Sequence, residues 1–272
     1  MDQVATCDRH VSCMRILAGM PWRLDWRFTG LSKRTREFFQ EVAQQGGEVK
    51  LYCAGPKMRS RGLHVHTIIH PYTQSAGIWG ALLNSVAFSN RFAQKARRLD
   101  WDVLHCFNTS SLFLPNTPYL FQTLNPTYAY ALETMMKEYP DEPEFRRILD
   151  YYAAVSQLEK LEYENAEMIV ARTEAVKQNI VRHYGEDPQR IFVVPDGLLL
   201  PKALKATGPR SAGEMKMVLF SGTIRIMKGF NYLVEAMEKV VYEVPGAILV
   251  AAGQIYPPDK RLILRKIASS AA

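Results

Sequence analysis

The chain has 272 residues, 47% of them hydrophobic and 22% charged, a composition that is typical of a folded globular protein and excludes a disordered one. Its formal net charge of +7 is divided unevenly, with +8 on residues 1–100, −7 on residues 101–200 and +6 on residues 201–272, and this argues against a uniformly basic nucleic-acid-binding protein. No run of about 20 apolar residues is present, so the sequence predicts no transmembrane helix, and we expect a cytoplasmic protein.

The predicted elements of the first 200 residues alternate between strands and helices. Residues 1–13 precede the first strand and are predicted to form a loose tail. Apolar runs predict strands at 14–19, 48–55, 63–69, 102–107, 118–124, 168–172 and 191–195. Helical spacing predicts helices at 32–45, 78–98 and 174–184, and mostly helical structure over 127–165. This alternation predicts an α/β fold with a parallel, Rossmann-like sheet covered on both faces.

Local signals mark the ends and faces of two of these helices. Ser32 and Thr173 are predicted as N-caps of helices 32–45 and 174–184. In the first of these helices, Phe38, Phe39 and Val42 are expected on one face.

The strand-and-helix pattern restarts in the last part of the chain. Residues 201–215 are rich in Pro, Gly and Lys and show little periodicity, so they are predicted to be a linker. Strands are then predicted at 217–222 and 247–253, and helices at 230–242 and 258–268. We therefore expect an N-terminal Rossmann-like domain at 1–200 and a partial second Rossmann-like domain at 216–272.

The segment KMVLFSGTIRIMKGFNYLVEAM (216–237) has the features of a phosphate site. An apolar strand ends at Gly222, a loop with Arg225 follows, and Lys228 and Gly229 precede a helical pattern. Backbone N–H groups at a helix N-terminus are unpaired and carry the positive end of the helix dipole, and a lysine there adds a full charge. The alternative is that the glycines only make turns and Lys228 is a solvated surface residue.

The cysteines predict neither a disulfide nor a metal site. None forms a CxxC pair, and no His and Cys residues share metal-ligand spacing. A buried free thiol is the expected state where a cysteine lies in an apolar run. The four positions are Cys7, Cys13, Cys53 and Cys106, of which the last two lie in such runs.

Four segments occur in an order and spacing that match a known family. They are MRILAG with the loop and amphipathic helix after it, WDVLHCF, residues 158–198, and LFSGTIRIMKGFNYLVEAM. The chain resembles the retaining glycosyltransferases of family 4. The resemblance implies the GT-B architecture of two Rossmann-like domains. It also implies transfer of a sugar from a nucleotide-sugar donor to a hydroxyl acceptor, a saccharide or lipid-linked molecule, with retention of configuration.

The resemblance assigns donor-side roles to the loop after residue 221. Lys228 falls on the family's lysine and Arg225 lies two residues after Thr223, which occupies the family's usual arginine position. Lys228 and Arg225 are thereby the expected catalytic cations, because the leaving diphosphate gains negative charge as the glycosidic bond breaks. Gly222, Thr223 and Gly229 are the expected donor-binding residues. Members with this architecture generally need no metal, and we expect no cofactor beyond the donor itself.

The resemblance also suggests three acceptor-side residues. Gly30 lies in a loop similar to the family's acceptor loop, although the family's double glycine is absent, and aromatic and basic residues that suit sugar or anion contacts lie nearby (Trp22, Arg23, Trp26 and Arg27). Asn125 stands where many members carry a histidine near the reacting sugar, and an asparagine is not a general base. His105 is the third candidate, with a structural role at a strand end as the favoured alternative.

Helix 78–98 and the end of the sequence lead to two further expectations, one on membrane contact and one on truncation of the second domain. Helix 78–98 combines large apolar residues with a basic end, which suits a peripheral contact with an anionic membrane, and packing on the sheet is the favoured alternative. The resemblance also implies a pair of spaced glutamates, far into the second domain, that hold the donor sugar and the nucleotide ribose. These would lie beyond Ala272, so we expect a truncated member.

Two alternatives for the function stay open. They are a catalytically inactive GT-B relative acting as a binding module and a GT-B nucleotide-sugar epimerase.

Overall fold

The apolar runs of the sequence form parallel strands in a computed structural model, which describes residues 14–24, 30–55, 63–68, 77–123, 127–138, 145–197, 216–256 and 259–270. Within these ranges the strands are β1 (Arg15–Met20), β2 (Glu48–Ala54), β3 (His64–Ile68), β4 (Val103–Phe107), β5 (Leu120–Gln122), β6 (Met168–Ala171), β7 (Ile191–Val193), β8 (Met217–Ser221) and β9 (Ile248–Ala252). The helices are α1 (Gly30–Gln44), α2 (Gly77–Ala96), α3 (Tyr128–Glu138), α4 (Arg146–Asn165), α5 (Glu174–Tyr184), α6 (Phe230–Glu243) and α7 (Lys260–Ser270).

The first seven strands form one sheet in the order β3-β2-β1-β4-β5-β6-β7, and every neighbouring pair is parallel. The chain adds strands to one side of β1 and then to the other, so the order reverses next to β1. In open α/β sheets, ligands bind outside the carboxyl ends of the strands near such a reversal. The predicted parallel, Rossmann-like α/β sheet is confirmed.

Apolar side chains cover the sheet on both faces, as expected for parallel strands. On one face Phe88 and Phe92 of α2 and Tyr163 of α4 are fully buried, and on the other Phe39 of α1 packs with strand residues of β1 and β2. Gly19 is needed for this packing, because a Cβ at that position would lie 2.4 Å from the ring of Phe92. Cys53 and Cys106 are buried free thiols within this core.

The start of α1 differs from the sequence prediction. The helix begins at Gly30, and Ser32 lies inside its first turn, where its Oγ donates a hydrogen bond to the carbonyl of Arg23 at 2.6 Å instead of capping the helix. Phe39 is fully buried but Phe38 is 49% exposed, so these adjacent residues do not share the buried face. At α5 the prediction is confirmed, because Thr173 Oγ1 accepts a hydrogen bond from the N–H of Val176.

The described residues fall into two compact units. The first contains residues from 1–134 and 149–199, and the second contains residues from 135–148 and 200–272. The second unit therefore includes a segment that the sequence assigns to the N-terminal domain. Its β8 and β9 form a parallel pair whose connecting helix is α6, which is the β-α-β arrangement predicted for 216–272. The predicted linker 201–215 lies outside the described residues.

Helix α2 buries one face against the sheet and exposes the other. Gly80, Asn84, Phe88 and Phe92 are buried, whereas Trp79 is 42% exposed. The packing alternative for this helix is thus present in the structure. Across the described ranges, no helix combines the length and the apolar character that crossing a membrane would require.

Candidate functional site

The loop after β8 runs beside the segment after β9. The N–H of Gly222 donates to the carbonyl of Ala252 at 3.0 Å, and the N–H of Ile224 donates to the carbonyl of Gln254 at 2.9 Å. The N–H of Tyr256 donates in turn to the carbonyl of Ile224 at 3.0 Å. These bonds continue the parallel pairing beyond the strand ends, so backbone contacts hold the two segments together.

Two glycines allow this close approach. Gly222 has φ of 141° and Gly253 has φ of 157°, which are conformations that favour glycine. A Cβ on Gly253 would lie only 1.8 Å from the carbonyl oxygen of Gly222. Any side chain at Gly253 would therefore push the two segments apart.

A short turn connects this loop to α6 and places Lys228. Residues Ile226–Lys228 form one 3-10 turn, and Gly229 follows with φ of 71° and opens α6. The turn is anchored by Asp259, whose Oδ2 accepts a hydrogen bond from the N–H of Ile226 at 2.9 Å. The side chain of Lys228 turns back over the loop, so that a Cβ on Gly222 would lie 3.6 Å from its Nζ. Of the predicted donor residues, Lys228 thus reaches back to Gly222, and Gly229 follows it as the N-cap of α6.

Arg225 lies on an aromatic ring beside this turn. Its guanidinium carbon is 4.0 Å from the ring centroid of Tyr256, an arrangement that fixes the side chain by a cation–π contact. Burial raises the pKa of the nearby Asp259, although the charge of Arg225 opposes that shift. Thr223, at the family's usual arginine position, is exposed.

Two of the three acceptor-side candidates, Gly30 and His105, lie within the described residues and belong to different elements, α1 and β4. Gly30 is the first residue of α1, and its carbonyl accepts a hydrogen bond from Nε of Arg34 at 3.3 Å. His105 lies in the middle of the sheet, stacked on Phe107, and its Nε2 is 2.9 Å from Oε1 of Gln122. Burial lowers the pKa of His105 to about 4, so the imidazole is neutral at pH 7. Asn125 lies outside the described residues, as do Trp26 and Arg27.

Two glutamates of α4, which no sequence motif marks, hold the loop that follows β4. Oε2 of Glu162 accepts from the N–H of Thr109 at 2.6 Å, and Oε1 accepts from the N–H and the hydroxyl of Ser111. Oε1 of Glu159 accepts from Nδ2 of Asn108 at 2.7 Å. Both carboxyl groups are buried, and this burial raises the pKa of Glu162 to about 8. Thr109 has φ of 60°, so these two carboxyl groups hold a left-handed turn at the carboxyl edge of the sheet.

The described part of the chain contains no group of three or more His, Cys, Asp or Glu side chains placed to hold a metal ion.

Comparison with known sequences finds one family over most of the first unit. A model described as Glycosyltransferase Family 4 matches residues 28–198. A D-inositol 3-phosphate glycosyltransferase of Xylanimonas cellulosilytica is 32% identical over 99 residues, which cover 32% of this chain and 24% of that relative. The aligned segment thus spans about a quarter of the curated relative.

Comparison with solved structures shows the same fold. WaaG, a glycosyltransferase involved in lipopolysaccharide biosynthesis, superposes with a TM-score of 0.60 at 16% identity, covering 94% of this chain and 68% of that one. An α,α-trehalose 6-phosphate synthase from Burkholderia multivorans superposes with a TM-score of 0.53 at 13% identity, covering 96% of this chain and 69% of that one. Since the family model spans more than half of its residues, the chain belongs to glycosyltransferase family 4.

Proposed function

We propose that the chain binds a nucleotide-sugar donor and transfers its sugar to a hydroxyl group of a saccharide or lipid-linked acceptor, with retention of configuration. The observation that carries this proposal is the position of the Lys228 ammonium over Gly222, where β8 leads into α6. Family membership supports the reaction class. The names of the curated relatives support a hydroxyl-bearing, phosphorylated acceptor as one candidate.

The donor-side residues suit the charge that the reaction creates. When the bond between the anomeric carbon and the donor breaks, its electron pair stays on the diphosphate oxygen and negative charge grows there. Lys228 and the N-terminus of α6 place positive charge beside Gly222, whose lack of a side chain leaves room for a phosphate. Fixed cations of this kind stabilise a transition state by a few kcal/mol. Arg225, held on Tyr256, is the second proposed cation.

We propose further that this chemistry requires no metal or other cofactor, because the proposed cations Lys228 and Arg225 would supply the positive charge that the leaving diphosphate needs. The acceptor hydroxyl must lose its proton as the new bond forms. His105 does not suit that role, because it is buried and hydrogen-bonded to Gln122.

A cytoplasmic location with peripheral membrane contact is the proposed setting. Trp79 and Leu83 are exposed on α2, one turn apart, and Arg91 and Lys95 are exposed near its other end. An apolar and basic helix face of this kind suits an anionic lipid surface. Contact with nucleic acid is not proposed.

The function is tested with the 272-residue chain and a panel of UDP-, ADP- and GDP-sugars. Calorimetry measures donor binding, and release of nucleoside diphosphate with and without candidate acceptors measures transfer. Acceptor-dependent release with a product that keeps the donor's anomeric configuration supports the proposal. Binding without turnover would favour a binding module, conversion of donor alone would favour an epimerase, and no binding of any donor would refute the donor site.

A further inference from the structure

Three charged side chains from separate elements meet in the first unit. Arg34 lies on the second turn of α1, Arg172 directly follows β6, and Asp196 follows β7 by three residues. Nη1 of Arg34 donates a hydrogen bond to Oδ2 of Asp196. Oδ1 of the same carboxylate lies 3.4 Å from Nε of Arg172. One carboxylate is therefore shared by two guanidinium groups.

The cluster carries an excess of positive charge. Two guanidinium groups and one carboxylate give a formal charge of +1, because arginine stays protonated in proteins. Arg172 is only 7% exposed, and burial lowers its pKa. Asp196 opposes that shift and Arg34 adds to it, so these are the charged groups that act on Arg172. A buried cation such as Arg172 beside a second cation favours the binding of another anion at this cluster.

The two arginines have hydrogen-bond donors left for such an anion. Each guanidinium has five N–H donors; Nε of Arg34 donates to the carbonyl of Gly30, and a single carboxylate does not satisfy the remaining nine. Nε of Arg172 is buried and, at 3.4 Å from Oδ1 of Asp196, makes an ion pair but no hydrogen bond among the described residues, so the carboxylate leaves this donor incompletely satisfied. Arg34 is the accessible member, since 38% of its side chain is exposed. An anion reaching the cluster from solvent would meet Arg34 first, with Arg172 behind it.

The cluster lies where ligands of α/β sheets bind. Arg172 directly follows the last residue of β6, and the segment that carries Asp196 continues along this edge, since the N–H of Val194 donates to the carbonyl of Ala171 at 2.8 Å. This is the carboxyl edge of the parallel sheet. Arg172 also precedes Thr173, the N-cap of α5, whose positive dipole end adds to the local potential.

We propose that Arg34 and Arg172 bind an oxyanion carried by the acceptor, a phosphate or carboxylate group, with Asp196 holding the two guanidinium planes in place. This rests on the proposed function, because it describes the acceptor of that reaction. The planar fork of arginine matches the paired oxygens of both groups and recognises them bidentately. The acceptor is then an anionic sugar or polyol that presents its hydroxyl group near the carboxyl edge.

The site is tested by NMR of the arginine Nε–Hε signals of the 272-residue chain during titration with inorganic phosphate, acetate and glucose 6-phosphate. We expect the signals of Arg34 and Arg172 to move together and to saturate. Arg34→Gln should weaken phosphate binding about tenfold, because it removes the accessible guanidinium. Arg182→Gln is the matched control, since Arg182 is an exposed arginine paired with Glu133 on another surface.

Asp196→Asn separates a binding role from a purely structural one. It keeps the side-chain shape and raises the formal charge of the cluster from +1 to +2, so phosphate should bind several-fold more tightly, most clearly at low salt. If the three side chains formed only a structural ion-pair cluster with no anion site, Asp196→Asn would lower the Tm and leave phosphate affinity unchanged. Unchanged phosphate affinity in both Asp196→Asn and Arg34→Gln, with a lowered Tm, would overturn the anion site. Binding of free phosphate but not of glucose 6-phosphate would overturn its assignment to an acceptor.

The donor site is measured separately, so the two proposals fail independently. UDP binding should depend on Lys228 and not on Arg34, and the arginine signals should respond to phosphate in Lys228→Gln as they do in the unchanged chain. If UDP binds and the arginine signals do not shift on titration with phosphate, the anion site is wrong and the donor site stands. If the arginine signals respond and no nucleotide binds, the anion site stands while the proposed donor role of Lys228 fails.

Discussion

The ammonium of Lys228 lies over the backbone of Gly222, close enough that a Cβ on the glycine would stand 3.6 Å from Nζ. The two residues are six positions apart, and the 3-10 turn over Ile226–Lys228 folds the lysine back onto the loop. A cation is thus held beside an open stretch of backbone at the start of α6. This arrangement has the elements of a diphosphate site in one short segment.

Lys228→Gln should weaken binding of UDP, ADP or GDP by at least about tenfold, which corresponds to about 1.4 kcal/mol. The reason is that glutamine keeps a polar side chain only one atom shorter but removes the charge proposed to face the phosphates. Calorimetry on the unchanged and variant chains measures the difference.

Lys239→Gln on α6 is the control for this experiment, because it removes the same charge from an exposed position on the same helix. Its nucleotide affinity should match that of the unchanged chain at moderate salt, where distant surface charges are screened. Equal affinities for all three proteins would mean that Lys228 is only a solvated surface lysine.

Gly253→Ala should open the loop after β8 (residues 222–225), which is the proposed donor loop. Its methyl group would lie 1.8 Å from the carbonyl oxygen of Gly222, so the segments after β8 and β9 must separate. We expect a loss of about 3 kcal/mol in local stability, as for overpacking. Amide hydrogen exchange measures it directly, because the N–H groups of Gly222 and Ile224 are bonded across this contact.

Gly197→Ala serves as the comparison for the glycine change. A Cβ at Gly197 meets no described atom within 4 Å, so the substitution should leave exchange in the donor loop unchanged. If Gly253→Ala exchanged as slowly as the unchanged chain at Gly222 and Ile224, the close approach of the two segments would be wrong.

Local patterns explain why the turn between β8 and α6 was predictable from sequence, whereas its donor role stays a prediction. The strand end at Ser221, the glycines and the basic residues before α6 lie within about one β-α unit, and their order alone indicates the turn. The strand positions and the parallel sheet followed from the same kind of local pattern. The N-cap at Thr173 was predictable for this reason, whereas Ser32 was misassigned because its hydroxyl bonds to Arg23, nine residues earlier.

Long-range partners explain what the sequence did not reveal. Arg34 and Asp196 are 162 residues apart, and Glu162 meets Thr109 across 53 residues. On α4, Glu162 and Glu164 are not distinguishable within the acidic segment LEKLEYEN. Only the fold shows that Glu162 is buried while Glu164 is exposed. A single sequence without such contacts gives no signal for these roles.

His105 should make the folded state less stable in acid. Its pKa is lowered by burial from 6.5 to about 4, so between these values the unfolded chain binds a proton that the folded chain does not. Stability contributed by neutral His105 is therefore present above about pH 6.5 and lost as pH falls to about 4, by up to about 3 kcal/mol. Urea unfolding of the unchanged chain and of His105→Gln across this range measures it.

The His105→Gln variant should lack this part of the pH dependence even if it is less stable at every pH, because glutamine does not titrate. Identical pH slopes for the two proteins would contradict the neutral, buried state of His105. Its use as an acceptor-side base at neutral pH would then become tenable again.

Glu162→Ala should destabilise the first unit strongly, because it leaves the buried N–H groups of Thr109 and Ser111 without their acceptor. Each buried donor that loses its partner costs about 1–3 kcal/mol, so a total of at least about 2 kcal/mol is expected for these two. Glu164→Ala, two residues further along α4, is the matched control, since its carboxylate makes an exposed ion pair with Lys160 and its loss should cost less than about 0.5 kcal/mol. Urea unfolding of both variants at one pH gives the comparison, and equal losses would show that Glu162 does not hold the loop after β4.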